Sequence, residues 1–158
     1  MRFSYVDSPL GELLVTRDES GIAGLYLPTG RCPVTARPEW TRDDAAFDDV
    51  RAQLDEYFAG TRREFDLPLH PTGTGFQKRV WDALLEIPYG QTASYTDVAT
   101  RAGSPRTVRA AGTALATNPL PIVVPCHRVL RTGGGLGGYT GGLERKQFLL
   151  ELEGGSPT

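Results

Sequence analysis

Cysteine and histidine are scarce in this chain, two residues of each, and that scarcity excludes several classes of protein at once. Cys32 and Cys126 could form at most one disulfide. A chain of 158 residues buries enough surface to fold without one, so reduced thiols are expected. Together with His70 and His127 they are the only soft metal ligands, and they lack zinc-finger spacing. No metal and no cofactor is expected. No stretch approaches the roughly 18 apolar residues of a membrane span. The opening "MRFSYVDSPLGELLV" alternates polar and apolar residues where a signal peptide would carry an apolar core. The expected setting is the cytoplasm, or the nucleus if the source is eukaryotic, with no membrane partner.

A strong net charge is missing too, at −2 overall, but the balance is uneven. From Glu39 to Asp66 nine acids face four arginines, a net −5. From Tyr89 to Leu143 Arg101, Arg106, Arg109, Arg128 and Arg131 face only Asp97, a net +4. A polyanion would be drawn to the second segment and repelled by the first, although two solvated faces would give the same count.

The pattern along the chain predicts two domains. "FSYVDSPLGELLVTRDESGIAGLYLP" holds three strand-like runs separated by turn residues, an antiparallel meander. "RDDAAFDDVRAQLDEYFAG" sets Phe47, Val50, Leu54, Tyr57 and Phe58 on one helical face, with Gly60 as its stop. A loop rich in proline and glycine follows, and the boundary is placed near residue 70, giving domains 1–70 and 71–158. In the second domain Thr74 and Gln77 have capping-box spacing ahead of a stripe of Phe76, Val80, Leu84 and Ile87. Ser94 and Asp97 repeat that spacing before a helix ending near Gly103, and Ser104 with Pro105 suits the start of another. Two short helices joined by a tight turn outline a helix-turn-helix. Arg106 and Arg109 stand on the second, among Ala110, Ala111, Gly112 and Ala114. Small residues of this kind serve close helix packing, and beside the charge asymmetry they equally suit a nucleic-acid surface. "LERKQFLLELE" closes the chain as a helix. The fold class is mixed α/β of the α+β kind: a small antiparallel sheet with helices, then a mostly helical domain.

Two places could carry chemistry. Gly133, Gly135 and Gly138 satisfy the G-x-G-x-x-G pattern, but Tyr139 to Gly142 separate them from the next helix and no βαβ unit is present. A dinucleotide site is excluded on that context. The other is "IVVPCHRV", where Pro125 must turn the chain, since neighbouring side chains on a strand point to opposite faces. A lone cysteine is usually a small buried hydrophobe. Against that stand His127 and Arg128 beside Cys126, and Glu151 or Glu153 as carboxylates able to orient the histidine. An imidazolium and positive surroundings would raise the thiolate fraction. Such a nucleophile could serve a hydrolase, or it could accept an alkyl group as a thioether that water cannot displace, and so act once.

At residues 72–154 the run "TGFQKRVWDALLEIPYGQTASYTDVATRAGSPRTVRAAGTALATNPLPIVVPCHRVL" with "GGYTGGLERKQFLLELE" resembles the O6-alkylguanine-DNA alkyltransferases. Residues 1–70 are similar only in layout. The resemblance implies that Cys126 takes the alkyl group from O6 of guanine, that His127 acts as base through a water molecule, and that Glu153 orients it. Tyr95 would donate to the base's ring nitrogen and Asn118 would tie the cysteine turn together. The carbonyls of Cys126 and Val129, the amide of Thr140, and Tyr139 would surround the base. Arg109 would fill the place of the flipped nucleotide, with Ser94, Arg106, Thr107, Ala110, Gly112 and Arg128 completing the DNA surface in the minor groove. The partner implied is double-stranded DNA carrying alkylated bases, met by a monomer; cooperative assembly along DNA and acceptance of O4-alkylthymine stay open. Two departures stand out: "RAAG" where many members read "RAVG", and an unusually glycine-rich loop at 133–138, which would loosen the lid over the base. The rival readings are a helix-turn-helix regulator with a sensor cysteine and a cysteine hydrolase.

Overall fold

Strands β1 (Arg2–Val6), β2 (Leu13–Arg17) and β3 (Ile22–Tyr26) form the expected meander, antiparallel throughout, with Ser4 opposite Val15 and Val15 opposite Leu25. The computed structural model describes residues 1–28, 35–103, 105–131, 133, 135–139 and 141–154. Cys32, Ser104 and Thr140 therefore lie outside the described residues. The chain divides into two compact units, Met1–Thr72 and Gly73–Thr158.

In the first unit the sheet order is β3-β2-β1-β4, and β4 (Thr41–Arg42) was not anticipated. It runs parallel to β1, with Arg2 opposite Thr41. The inner strand β2 is buried from Leu13 to Thr16. The acidic helix opens as a 3-10 turn at Asp44–Phe47 before α1 (Asp48–Phe58). Phe47, Val50, Leu54 and Tyr57 are buried, while Phe58 is only half-buried. Adjacent helical residues are 100° apart, so the stripe can centre on Tyr57 or on Phe58 but not on both. Gly60 adopts φ 80°, the left-handed conformation that ends a helix at low cost in glycine. Arg51 reaches from α1 to Ser4 on β1, donating from Nη2 to Oγ at 3.2 Å, so helix and sheet enclose one core.

The second unit is mostly helical. In α2 (Gly75–Leu85) both halves of the Thr74–Gln77 capping box are formed, and Val80, Leu84 and the following Ile87 are buried. Strand β5 (Ala93–Ser94) leads into α3 (Tyr95–Ala102), which carries the Ser94–Asp97 box. The next helix opens as a 3-10 turn at Pro105–Thr107, so α4 (Val108–Ala116) starts later than proline at a first turn suggests. Trp81 Nε1 on α2 donates to the Ala114 carbonyl on α4 at 3.0 Å, and Arg79 Nε donates to the Ala102 carbonyl at the end of α3. These bonds hold α3 and α4 on α2. Residues 122–124 do not form a strand. Ile122 sits at φ 78°, a strained backbone for a β-branched residue, held by burial and by a turn in which Val124 N–H donates to the Leu120 carbonyl. The chain then makes a 3-10 turn at Cys126–Arg128, pairs as β6 (Val129–Leu130) parallel to β5, and ends in α5 (Leu143–Leu152).

Candidate active site

The β5–β6 pairing sets Ala93 opposite Val129 and Ser94 opposite Leu130. It therefore brings the first turn of α3, and Tyr95 with it, beside the cysteine turn. Between them lies a cavity of about 340 Å³, lined by Tyr95, Gly112, Leu115, Cys126, Gly138 and Tyr139 among others. That volume falls in the range of small-ligand sites, about 300–1,000 Å³.

Asn118 braces the cysteine turn from below. Its Nδ2 donates to the Val124 carbonyl at 3.0 Å, and its Oδ1 accepts from Leu120 N–H at 2.9 Å. Behind the cysteine stands a buried chain of polar groups. His127 Nε2 lies 2.7 Å from Glu153 Oε2, so Nε2 carries the ring proton and donates it. Nδ1 is left with its lone pair, buried and without a hydrogen-bond partner among the described residues. Glu153, not Glu151, is the orienting carboxylate: Glu151 is exposed and accepts from Gln147 Nε2 instead.

Two expectations require correction. Burial pushes the Cys126 thiol up to about 11, against the pull of Asn118 and of the Lys146 charge, and burial also lowers His127. The resting sulfur is thus a protonated thiol beside a neutral imidazole, because desolvation outweighs the positive surroundings. Arg128 is not on the DNA surface. It is 7% exposed, its Nε and Nη2 donate to the two oxygens of Glu153 at 2.8 and 3.0 Å, and its Nη1 donates to the Ile87 carbonyl at 2.7 Å. Three of its five N–H donors are thereby engaged inside the protein.

Lys146 escaped the sequence reading. Fully buried on α5, it donates from Nζ to the carbonyls of Val129 at 2.6 Å, Leu136, and Gly138 at 3.2 Å, and desolvation lowers it to about 8. It ties the glycine-rich loop to the cysteine turn. The Val129 carbonyl, expected to face a base, thereby has one of its two lone pairs engaged. A signal for Lys146 exists: 146, 149, 150 and 153 are spaced i, i+3, i+4, i+7, so Lys146 and Glu153 share the buried stripe of Leu149 and Leu150.

The remaining predicted residues divide between cavity and surface. The Tyr95 hydroxyl keeps its proton, raised by burial against a bond from the Gly138 amide. Tyr139 is raised further, its Oη buried without a partner among the described residues. Arg106, Arg109 and Ala110 are exposed on the side of the unit formed by α4, and Gly112 and Thr107 are half-buried there. Ser94 is half-buried and caps α3.

One glycine in the loop bears directly on Tyr95. A Cβ on Gly137, at φ 70°, would lie 2.8 Å from the Tyr95 hydroxyl, whereas one on Gly138 meets nothing within 4 Å. Gly137→Ala is expected to displace either loop or tyrosine and slow reaction at Cys126 by about tenfold or more, a loss equivalent to roughly 1.4 kcal/mol. Gly138→Ala, measured alongside by single-turnover kinetics, should stay within about threefold of the parent. Equal rates for parent and Gly137→Ala would show that this contact is idle.

Comparison with known proteins places this geometry. Residues 1–71 match the model of the 6-O-methylguanine DNA methyltransferase ribonuclease-like domain, and residues 75–155 match that of the 6-O-methylguanine DNA methyltransferase DNA binding domain. The chain belongs to the 6-O-methylguanine DNA methyltransferase family. The match extends the resemblance seen in residues 72–154 to the N-terminal unit, where strand and loop composition alone had shown only a shared layout. Among relatives of this methyltransferase family, the methylated-DNA–protein-cysteine methyltransferase of Methanosarcina acetivorans is 43% identical over 98% of this chain and 99% of its own. The protein of that name from Mycobacterium tuberculosis is 45% identical over 97% of this chain and 92% of its own. The solved structure of Mycobacterium tuberculosis OGT in complex with DNA superposes with a TM-score of 0.91 at 45% identity, covering 98% of this chain and 93% of that one. Pyrococcus kodakaraensis O6-methylguanine-DNA methyltransferase gives a TM-score of 0.67 at 25% identity, covering 97% and 98%. These relatives favour the alkyltransferase reading over the regulator. Among the described residues no helix is long and apolar enough to cross a membrane.

Proposed function

We propose that the protein repairs DNA by moving the alkyl group of an O6-alkylguanine to Cys126, once per molecule. The observation that carries this reading is a single cysteine in the wall of a nucleobase-sized cavity, beside a histidine whose Nδ1 has no hydrogen-bond partner among the described residues. Through a bridging water, His127 Nδ1 takes the thiol proton as sulfur attacks the saturated carbon, the carbon–O6 bond breaks, and its electron pair leaves with the purine. The Tyr95 hydroxyl, still protonated, meets the charge developing on that leaving group. The product thioether has no leaving group for water, so the site is spent.

The target atom lies inside the base stack, and the nucleotide must be extruded at a cost of a few kcal/mol. We assign α3 and α4 as the helix-turn-helix that meets the minor groove, with Arg109 inserted and Ala110 and Gly112 admitting the backbone. Backbone-dominated contact of this kind suits repair that must ignore sequence. A monomer suffices for every step, and the setting that gives access to the substrate is the cytoplasm, or the nucleus if the source is eukaryotic.

The deciding experiment is intact-protein mass spectrometry after incubation with an excess of duplex carrying O6-methylguanine. The expected result is a gain of one methyl group and no more, on Cys126, and none in Cys126→Ser. Continued turnover, or methylation surviving that substitution, would reject the reading.

A further inference from the structure

Among the described arginines of the basic segment, Arg128 alone turns away from solvent, and what it meets there is the carboxylate behind the catalytic histidine. Its two bonds to Glu153 engage both carboxylate oxygens, and Oε2 is shared between Arg128 Nη2 at 3.0 Å and His127 Nε2 at 2.7 Å. The Ile87 carbonyl and the Tyr89 ring, whose centroid lies 5.8 Å from the guanidinium carbon, fix the arginine from the other side. We propose that Arg128 is a positioning residue for alkyl transfer, holding Glu153 in register with His127 and cancelling its charge so that the imidazole remains a neutral base.

A buried carboxylate facing an imidazole without a counter-charge would stabilise the imidazolium, and a histidine already protonated cannot take the thiol proton. With Arg128 in place the carboxylate and guanidinium sum to zero, and a proton added to His127 would create an uncompensated buried charge. The other groups facing this cluster are Lys146 from α5, Cys126 from the same turn, and Tyr139 from the glycine-rich loop. Lys146 and Arg128 both oppose the imidazolium, Glu153 alone favours it, and burial adds to the opposition. The proposal rests on the alkyl-transfer reading above. In that reaction the sulfur–carbon bond forms as the carbon–O6 bond breaks, and the proton that leaves sulfur is balanced by the one the released guanine gains.

The test uses the full chain with Arg128→Met, which keeps an apolar stem, and Arg128→Lys, which keeps the charge without the paired fork. Nitrogen NMR of the His127 ring is followed across the neutral range without substrate, and single-turnover methyl transfer is followed over the same range. In the parent, His127 is expected neutral with its proton on Nε2 throughout, and the rate flat. In Arg128→Met the ring should titrate about one pH unit higher or more, slowing transfer roughly tenfold at the acid end and recovering toward alkaline pH. Arg128→Lys should fall between, and affinity for undamaged duplex should change less than about twofold in both. An imidazolium in the parent at neutral pH would overturn the proposal, and so would a rate lowered by one factor at every pH, or a loss of DNA affinity in place of the pH shift. Because the NMR titration needs no substrate and starts from the parent, it stands if Arg128→Met does not fold, and it separates failure of this inference from failure of the repair reading.

Discussion

Glu153→Gln is expected to slow methyl transfer by two orders of magnitude or more and to destabilise the C-terminal unit by about 3–5 kcal/mol. Both effects follow from what the two carboxylate oxygens do. Oε1 and Oε2 accept three directed hydrogen bonds between them, from Arg128 Nε and Nη2 and from His127 Nε2, all in a buried site. An amide has one acceptor and one donor. If its oxygen turns to His127, its NH₂ faces the guanidinium, donor against donor. If it turns to Arg128, the amide nitrogen opposes His127 Nε2–H and pushes the ring toward the tautomer with its proton on Nδ1. That tautomer offers no lone pair to the water that relays the thiol proton. Burial holds the thiol up near 11, so little thiolate is present to react unaided at neutral pH. Removing one partner of a buried pair also strands the other charge, which is the source of the stability loss. Chemical denaturation and single-turnover kinetics on the same preparation check both numbers. A folded Glu153→Gln protein that transfers methyl at the parental rate would take Glu153 out of the reaction.

How far the site could be read from residues alone depended on whether its determinants were local. The capping boxes at Thr74 and Ser94 need only residues three apart, and both form as expected. The turn at Pro125 is equally local. Arg128 could not be placed by such reasoning. In a count of charges it belongs with Arg106 and Arg109, and its place beside Cys126 and His127 does not say which way its side chain turns. Its partner Glu153 is 25 positions away, on the far side of a glycine-rich loop. The state of the Cys126 thiol departs from expectation for a related reason. Positive neighbours are visible in sequence and favour the thiolate, but the burial that outweighs them is a property of the packed fold. Strand β4 is two residues long and pairs with β1 across some forty positions, so no periodicity announces it. Lys146 was legible in principle, from the stripe it shares with Leu149, Leu150 and Glu153. Against that signal stands the rule that lysine on an amphipathic helix normally faces water. Three carbonyls at the end of its side chain are what overcome the cost of burying it.

Arg109→Ala is expected to slow repair of duplex DNA about a hundredfold while leaving reaction with free O6-methylguanine within about twofold. Arg109 stands at the start of α4, and Gly112 and Ala116, at i+3 and i+7 from it, line the cavity that holds Cys126. Residues at that spacing share one helical face, so the arginine projects from the rim of the cavity one turn from its wall. It is exposed, and Ala110 beside it raises no obstacle to a close approach by a sugar-phosphate backbone. Extrusion leaves a gap in the stack that costs a few kcal/mol, and a side chain inserted there recovers part of it. Losing roughly 2.7 kcal/mol of that recovery gives the hundredfold. A free base needs no extrusion, hence the asymmetry between substrates. An arginine that merely neutralised a phosphate would behave differently. Its removal would lower the slope of log affinity against log salt by about 0.9 and would be overcome at saturating protein. A hundredfold defect that persists at saturation on duplex, with the free base unaffected, is therefore the signature of insertion, and equal losses on both substrates would place Arg109 in some other role.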